Sequence, residues 1–244
     1  MDLSGKVVLV TGGAHRVGQA ISLGLAKKGA KVAIHYNQSA DGAHETLARI
    51  RAAGQEAFLI QGDLSHFHQI ERVLEACYEE FKRIDVLINN AALYFKTPVL
   101  DTTEEQWDEL FAVNLKAAYF CATLAARHML EQNAGKIINI TDVAGILPWP
   151  DFIPYCTTKA GLIAITKGLA KALAPQIQVN AVASGTVLMA ENASQADKEA
   201  IRQATLLKRI GSPRDVLSTI LFLIQGSDYI TGEVIAVDGG RLLI

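Results

Sequence analysis

The sequence predicts a doubly wound α/β fold, on three observations. Short apolar runs rich in β-branched residues alternate along the whole chain with stretches of helical periodicity. A glycine-rich turn follows the first of these runs and precedes the first helix. No hinge-like linker, internal repeat or low-complexity segment interrupts the pattern. We therefore expect residues 1–244 to form one domain, with about seven parallel strands and helices on both faces.

The first βα unit sets the pattern for the rest. The run "KVVLVT" at 6–11 is nearly all apolar, as expected of a parallel strand covered on both faces. Val17, Ile21 and Leu25 follow at helical spacing in a helix over 17–28, and Gly29 ends it. The other predicted strands are 31–36, 56–61, 84–89, 136–141, 177–182 and 233–240. The other predicted helices are 40–53, 66–82, 103–113, 115–132, 152–173 and 213–225.

The stretch 184–204 has the weakest periodicity in the chain. It is polar and alanine-rich, and it follows the sixth predicted strand. Long irregular segments of this kind often close over a ligand. We therefore expect it to be a substrate lid.

Composition excludes several classes of function. The net charge is −2, which argues against a surface that binds nucleic acid. The three cysteines have no paired spacing, so no metal site or disulfide framework is expected and a reducing compartment fits. The first residues lack the layout of a signal peptide, and no apolar run reaches the roughly 20 residues of a membrane span. These features predict a soluble, cytoplasmic protein.

The glycine-rich turn predicts a nucleotide site. In "TGGAHRVG" at 11–18, Gly12, Gly13 and Gly18 stand between a strand and a helix. This Rossmann-type arrangement places a pyrophosphate at the positive end of a helix. Arg16 occupies a place where a second spaced glycine is expected.

Polar residues further along occupy positions that suit a ligand. Asp63 follows the third strand and could accept from an adenine amino group or cap the next helix, for which Ser65 is an equally good candidate. The triplet "NNA" at 89–91 ends the fourth strand, where ligands bind in such sheets. Asn114 lies in a predicted helix that disfavours asparagine.

Tyr155 and Lys159 are four residues apart on a predicted helix, so their side chains share a face. A nearby ammonium favours the phenolate and lowers the pKa of a phenol. The pair therefore predicts a tyrosine that donates a proton near neutral pH.

Five motifs in order resemble the short-chain dehydrogenase/reductase family over essentially the whole chain. They are "TGG…G" at 11–18, "NNA" at 89–91, Asn114, "YxxxK" at 155–159 and "ITGEVIAVDGG" at 230–240. The resemblance implies a seven-stranded parallel sheet and hydride transfer to or from a nicotinamide cofactor. It implies that Tyr155 is the acid or base, that Lys159 binds the nicotinamide ribose, and that Asn114 holds a water. The cofactor-binding positions that we expect are Gly12, His15, Arg16, Val17, Gly18, Asn37, Ser39, Asp63, Leu64, Asn90, Ala91, Tyr155, Lys159 and Gly185.

At two positions the sequence departs from the family pattern and resembles pteridine reductases instead. These enzymes reduce C=N bonds of pterins and folates with NADPH. Asp142 stands where the family usually has a serine that hydrogen-bonds a substrate carbonyl, and Arg16 stands in the glycine loop. A carboxylate repels a developing oxyanion but can relay a proton to a ring nitrogen. The substrate-binding residues implied are Arg16, Tyr94, Asp142 and Tyr155, with Tyr94 stacked on the pterin. Ala92 and Gln38 depart from this subfamily, which usually has a serine and a basic residue there.

The expected cofactor is NADPH, because no Asp or Glu closely follows the second strand to bind a ribose diol. His15, Asn37 and Ser39 could hold its 2′-phosphate. A carbonyl reductase, for example of 3-oxoacyl thioesters, is the alternative activity. A nucleotide-sensing module without catalysis is a more remote one.

Each site residue also has a simpler structural explanation. Arg16 could pair with a surface acid, Asp142 could cap the following loop, and Tyr94 could wall off the core. Cys156 is expected to pack rather than react. The stretches at 115–130 and 159–174 carry more apolar and small residues than one core-facing stripe of a helix requires. The resemblance implies a homotetramer formed through these helices.

Overall fold

A seven-stranded parallel sheet runs through the protein in a computed structural model that describes residues 1–189 and 193–244. The strand order is β3-β2-β1-β4-β5-β6-β7. The strands are β1 (Val7–Val10), β2 (Lys31–Tyr36), β3 (Ala57–Gln61), β4 (Val86–Asn89), β5 (Gly135–Asp142), β6 (Ile177–Ser184) and β7 (Val234–Val237). This arrangement confirms the predicted fold class.

Helices cover both faces of the sheet. They are α1 (Arg16–Lys27), α2 (Ala40–Ala52), α3 (Phe67–Phe81), α4 (Glu104–Phe111), α5 (Ala117–Glu131), α6 (Ile153–Leu173), α7 (Gln195–Gln203) and α8 (Pro213–Leu221). Successive strand residues face opposite cores, because side chains alternate along a strand. Val7 and Leu9 join the core shared with α3, α5 and α6, whereas Val8 and Val10 join the core shared with α1, α2 and α8.

The two helices predicted over 103–113 and 115–132 are continuous. A π-helical turn over Ala112–Lys116 joins α4 to α5 instead of a break. The combined stretch Glu104–Glu131 has the length and apolar composition of a membrane span, contrary to the expectation from the sequence. Nearly half of its most apolar part is buried within the protein, and core helices of soluble proteins have the same length and composition. Its packing against the sheet accounts for its apolar character.

The stretch 184–204 contains an element that its periodicity did not reveal. Ser194 and Asp197 form a capping box that starts α7. None of the residues of α7 is buried, so its sequence needs no core-facing stripe. The expectation of an irregular stretch is therefore wrong over 195–203, and residues 190–192 of the predicted lid lie outside the described residues.

The strand order reverses between β1 and β4, whose chain continuations lead to opposite halves of the sheet. Parallel sheets of this kind bind ligands in the crevice outside the carboxyl ends of the strands at this reversal. The glycine loop follows β1 there, and the "NNA" triplet ends β4 beside it. The fold thus brings two separately predicted motifs to one edge.

Candidate active site

The loop between β1 and α1 packs so closely that no side chain fits at Gly18. A Cβ at Gly18 would lie 2.0 Å from the Gly12 carbonyl oxygen, and Gly12 has a left-handed φ of +61°. The N-cap residue of α1 is His15, whose side chain makes no capping hydrogen bond. A tight loop that ends at an uncapped helix N-terminus fits a dinucleotide pyrophosphate.

Arg16 is the first residue of α1 and has a left-handed φ of +53°. This conformation costs a non-glycine residue about 1–2 kcal/mol. The side chain is exposed, and no carboxylate in the described part of the chain lies within ion-pair distance of it. The structure therefore does not support pairing with a surface acid.

The end of β4 is tied to the glycine loop by Thr11 and Asn90. The Asn90 side-chain amide donates to the carbonyl oxygens of Thr11 at 2.9 Å and of Gly12 at 3.0 Å. The backbone amides of Asn90 and Ala91 both donate to the Thr11 hydroxyl. Thr11 is a positioning residue that the sequence did not single out, although it stands directly before the glycines.

The turn after β3 places Asp63 and Leu64 at the same edge. Asp63 Oδ1 accepts from the Ser65 amide at 2.9 Å, which lowers the pKa of this carboxyl. The N-cap of α3 is His66, so the hypotheses that Asp63 or Ser65 caps this helix are wrong. The carboxylate stabilises the turn itself, and Leu64 is buried in the core shared with α3.

The residues expected at a 2′-phosphate lie around the start of α2. Asn37 and His15 are exposed, and Ser39 is the N-cap residue of α2 but makes no side-chain capping bond. A Cβ at Gly42, in the first turn of α2, would lie 3.5 Å from the His15 Cβ, so the two loops are adjacent. His15 thus lies beside the first turn of α2, whose N-cap residue is Ser39.

Tyr155 and Asp142 are hydrogen-bonded at the carboxyl end of β5. The Tyr155 hydroxyl donates to Asp142 Oδ2 at 3.0 Å, and Asp142 Oδ1 accepts from the Ala144 amide at 2.8 Å. Asp142 therefore caps the following turn and binds the tyrosine at the same time. Lys159 Nζ lies 5.7 Å from the centre of the Tyr155 ring and donates to the Ile140 carbonyl at 3.0 Å.

The acidities of these groups differ from the expectation. Burial, followed by the Asp142 charge, raises the pKa of Tyr155 well above its ordinary value. The prediction that Lys159 lowers this pKa is therefore wrong, because desolvation and a neighbouring carboxylate outweigh the ammonium. Burial also raises the pKa of Asp142. Desolvation lowers the pKa of Lys159 to about 8.

The catalytic rate of this site is expected to fall as the pH rises through about 8, the pKa of Lys159. The folded-state pKa lies below the ordinary value of lysine, so the ammonium is present below this pH and is lost above it. Its loss removes the positive charge beside Tyr155. A pH–rate profile measures the effect, and Lys159→Gln should lack this alkaline limb. A wild-type rate that stays constant up to pH 10.5, the ordinary lysine pKa, would contradict the prediction.

Asn114 lies in the π-helical turn and is almost fully buried. Its Oδ1 accepts from the Leu93 amide at 2.7 Å, and its Nδ2 donates to the Leu93 carbonyl at 2.9 Å. The π-turn accommodates this polar residue and ties the segment after β4 to the helix. The side chain thus holds the chain that leads to Tyr94.

Aromatic side chains line the opening beside Tyr155. Tyr94 stacks on Phe152 with ring centres 4.8 Å apart and meets the edge of Tyr155 at 5.0 Å. Tyr94 is 58% exposed, so the interpretation that it walls off the core is wrong. Phe152 also meets Trp149, and the Arg241 guanidinium lies 5.5 Å from the Trp149 ring centre.

Sequence reasoning missed Trp149, Phe152 and Arg241. The run "PWPDF" directly before the tyrosine helix was a signal for the two aromatic residues. Arg241 comes from the far end of the chain, and only the fold brings it here.

Two further expected residues have structural roles. Cys156 is buried and accepts from the Trp149 amide at 3.3 Å, and burial raises the pKa of its thiol. This agrees with packing rather than reactivity. Gly185 follows β6, and a Cβ there would lie 3.0 Å from the Asp238 Cα.

These features define a class: an oxidoreductase fold with a nucleotide-binding crevice and a buried tyrosine–lysine pair beside it. A family model described as short chain dehydrogenase matches residues 6–200. The chain therefore belongs to the short-chain dehydrogenase/reductase family.

Relatives and solved structures agree with this membership. A 3-oxoacyl-[acyl-carrier-protein] reductase of Synechocystis sp. is 38% identical over 99% of this chain and 98% of its own length. The 3-oxoacyl-[acyl-carrier-protein] reductase FabG of Staphylococcus epidermidis is 36% identical over 98% of this chain and 99% of its own. A mutant short-chain dehydrogenase/reductase of Serratia marcescens superposes with a TM-score of 0.93 at 30% identity, covering 99% of both chains. These names match the acyl-thioester alternative better than pterin reduction.

Proposed function

We propose that this chain is an NADPH-dependent reductase in which Tyr155 donates a proton to a small-molecule substrate. The observation that carries the proposal is the buried Tyr155 hydroxyl, with Lys159 Nζ at 5.7 Å from its ring, beside the glycine loop of a family member. NADPH, when bound, supplies the hydride. Its pyrophosphate fits the close-packed loop from Gly12 to Gly18, and its 2′-phosphate fits the polar groups of His15, Asn37 and Ser39.

The Tyr155 hydroxyl is protonated near neutral pH. Its raised pKa makes it a weaker acid than an ordinary tyrosine, so the proton leaves only as negative charge develops on the substrate. Lys159, held by the Ile140 carbonyl, supplies positive charge beside the phenol and a donor for the nicotinamide ribose. Asn114 fixes the segment that carries Tyr94, and in this proposal it also holds a water of the proton relay.

A 3-oxoacyl thioester is the first candidate substrate, because relatives 36–38% identical over nearly the whole chain carry that name. The carbonyl oxygen of such a substrate needs hydrogen-bond donors as it gains charge. Asp142 can donate only in its protonated form, and burial raises its pKa in that direction. The substrate would lie against the aromatic residues Tyr94 and Phe152.

A pterin or dihydrofolate C=N bond is the second candidate, and the hydrogen bond between Tyr155 and Asp142 favours it. With Asp142 protonated, this hydrogen bond would reverse, and a proton could pass from the carboxyl group through the phenol. A ring nitrogen can accept such a proton. In thioester reduction, by contrast, the charged form of Asp142 would repel the oxyanion that develops on the substrate. The flat, exposed Tyr94 ring and Arg16 suit a planar heterocycle.

The replacement Asp142→Ser is expected to change the two activities in opposite directions. It should raise turnover of an acetoacetyl thioester by about tenfold or more, because one donor to a developing oxyanion is worth about 10²–10³ in kcat. It should lower turnover of dihydrobiopterin, because the carboxyl proton source is lost. NADPH oxidation by wild type and variant on both substrates measures this. A wild type that turns over neither substrate class would refute the substrate assignment.

The remaining expectations belong to the same proposal. Residues 1–244 act as one dinucleotide-binding and catalytic domain of a cytoplasmic enzyme, and 184–204 is its proposed substrate lid. An apolar groove of about 530 Å³ on α4–α6, lined by Phe111, Leu115, Tyr119 and Ile165 among others, supports assembly through these helices. A homotetramer is the expected assembly.

A further inference from the structure

His35 on β2 lies between two loops of the proposed cofactor site. Its ring is only 2% exposed. The Gly12 amide donates to His35 Nδ1 at 3.1 Å, and His35 Nε2 lies 2.9 Å from the Gly62 carbonyl oxygen. One side chain therefore contacts both the glycine loop and the turn that connects β3 to α3.

These two contacts fix the protonation of the ring. A backbone amide can only donate, so Nδ1 must present its lone pair to Gly12. A carbonyl oxygen can only accept, so Nε2 must carry the proton towards Gly62. Burial lowers the pKa of His35 to about 4, so the neutral ring persists near neutral pH. In the protonated ring, Nδ1 would also carry a proton, and this N–H group would face the N–H group of Gly12 without an acceptor between them.

The backbone of β2 reinforces the same connection. The Gly13 amide donates to the His35 carbonyl at 2.9 Å, and the Gly62 amide donates to the Tyr36 carbonyl at 3.0 Å. The ring adds the only side-chain link between the two loops among the hydrogen bonds of residues 1–189 and 193–244. On its other side, Gly12 faces the segment after β4, where a Cβ built on it would lie 3.0 Å from the Ala91 Cα.

We propose that His35 is a positioning residue, which holds the glycine loop and the β3–α3 turn at the separation that NADPH requires. The inference rests on the proposed function, which assigns the pyrophosphate to the first loop, and on the expectation from the sequence that Asp63 and Leu64 in the β3–α3 turn bind the cofactor. Removing the ring should therefore weaken cofactor binding more than it slows the chemistry of the bound complex. A histidine that only fills the core would lower stability and leave affinity unchanged.

Three replacements separate the two contacts. Asparagine presents Oδ1 near the position of Nδ1, so His35→Asn retains an acceptor for Gly12. Glutamine reaches the position of Nε2, so His35→Gln retains a donor for Gly62. His35→Leu removes both bonds. Thr166→Val is the matched control, because it deletes a buried hydroxyl that bonds Asn139 and Leu162 between β5 and α6.

The measurements are the Kd of NADPH, kcat at saturating NADPH, and the thermal unfolding midpoint. His35→Leu is expected to raise the Kd about tenfold or more and to change kcat by less than about twofold, since an unpaired buried polar group costs about 1–3 kcal/mol. The Asn and Gln variants should fall between it and the wild type. Thr166→Val should lower the midpoint and leave the Kd unchanged.

A Kd within about twofold of wild type in His35→Leu would overturn the proposal. If that variant does not fold, unchanged Kd values in both the Asn and Gln variants would overturn it equally. A wild type that binds neither NADPH nor NADH identifies failure of the proposed function itself, and this inference falls with it. A wild type that binds NADPH but reduces neither substrate class refutes only the substrate, and the binding comparison still decides the role of His35.

Discussion

Replacing Tyr155 by phenylalanine is expected to lower kcat by on the order of 10²–10⁴, with NADPH affinity retained. The change removes one oxygen, which is the proposed proton donor, and leaves the ring in contact with Tyr94. The Asp142 carboxyl group loses its hydrogen-bond donor at 3.0 Å but keeps the Ala144 amide. Steady-state NADPH oxidation and cofactor titration measure the two effects separately.

Tyr229→Phe is the matched control, because it makes the same chemical change at a fully exposed position. Its kcat should equal that of the wild type. Equal rates in Tyr155→Phe and the wild type would remove the phenol from the mechanism and leave the proton donor to another group. A lost NADPH affinity in Tyr155→Phe would indicate a binding role instead.

Replacing Gly18 by alanine is expected to lower NADPH affinity at least about tenfold and to destabilise the fold by about 1–3 kcal/mol. The new Cβ would lie 2.0 Å from the Gly12 carbonyl oxygen and 2.8 Å from Asn90 Nδ2. The loop must open to relieve this contact, and it would lose the hydrogen bonds that tie it to β4. Thermal unfolding with and without NADPH measures both effects.

Gly168→Ala provides the comparison, since it also replaces a glycine inside a helix. Apart from its chain neighbours and the nearby backbone of its own helix, no atom of the described residues lies within 4 Å of a Cβ built at Gly168. The control should be neutral or stabilising by about 0.5–1 kcal/mol, as expected for an exposed helical glycine. Similar losses in the two variants would show that the effect at Gly18 comes from something other than the crowded loop.

The sequence predicted the parts of the site that depend on local order. The glycine turn, the "NNA" end of β4 and the spacing of Tyr155 and Lys159 each lie within one short segment, and their elements formed where expected. The acidity of Tyr155 was predicted with the wrong sign. The spacing shows which residues are neighbours, but the desolvation that dominates this pKa depends on the surrounding packing.

Element boundaries were least certain where apolar periodicity is weak. The helix α7 has no buried residue, so only its capping box marks it. The π-helical turn at Asn114 joins two predicted helices because the side chain finds partners in Leu93, a residue 21 positions away. A local pattern cannot reveal such a partner.

The sequence by itself determined the order of strands and helices apart from α7, the glycine loop, and the helical spacing that pairs Tyr155 with Lys159. The tertiary structure decided which distant groups meet them: Asp142 against the phenol, Arg241 beside Trp149, and the His35 ring between Gly12 and Gly62. The physical reason is the range of the interactions. Periodicity and turn preferences act within a few residues, whereas hydrogen bonds, burial and charge depend on positions that only the folded sheet brings together.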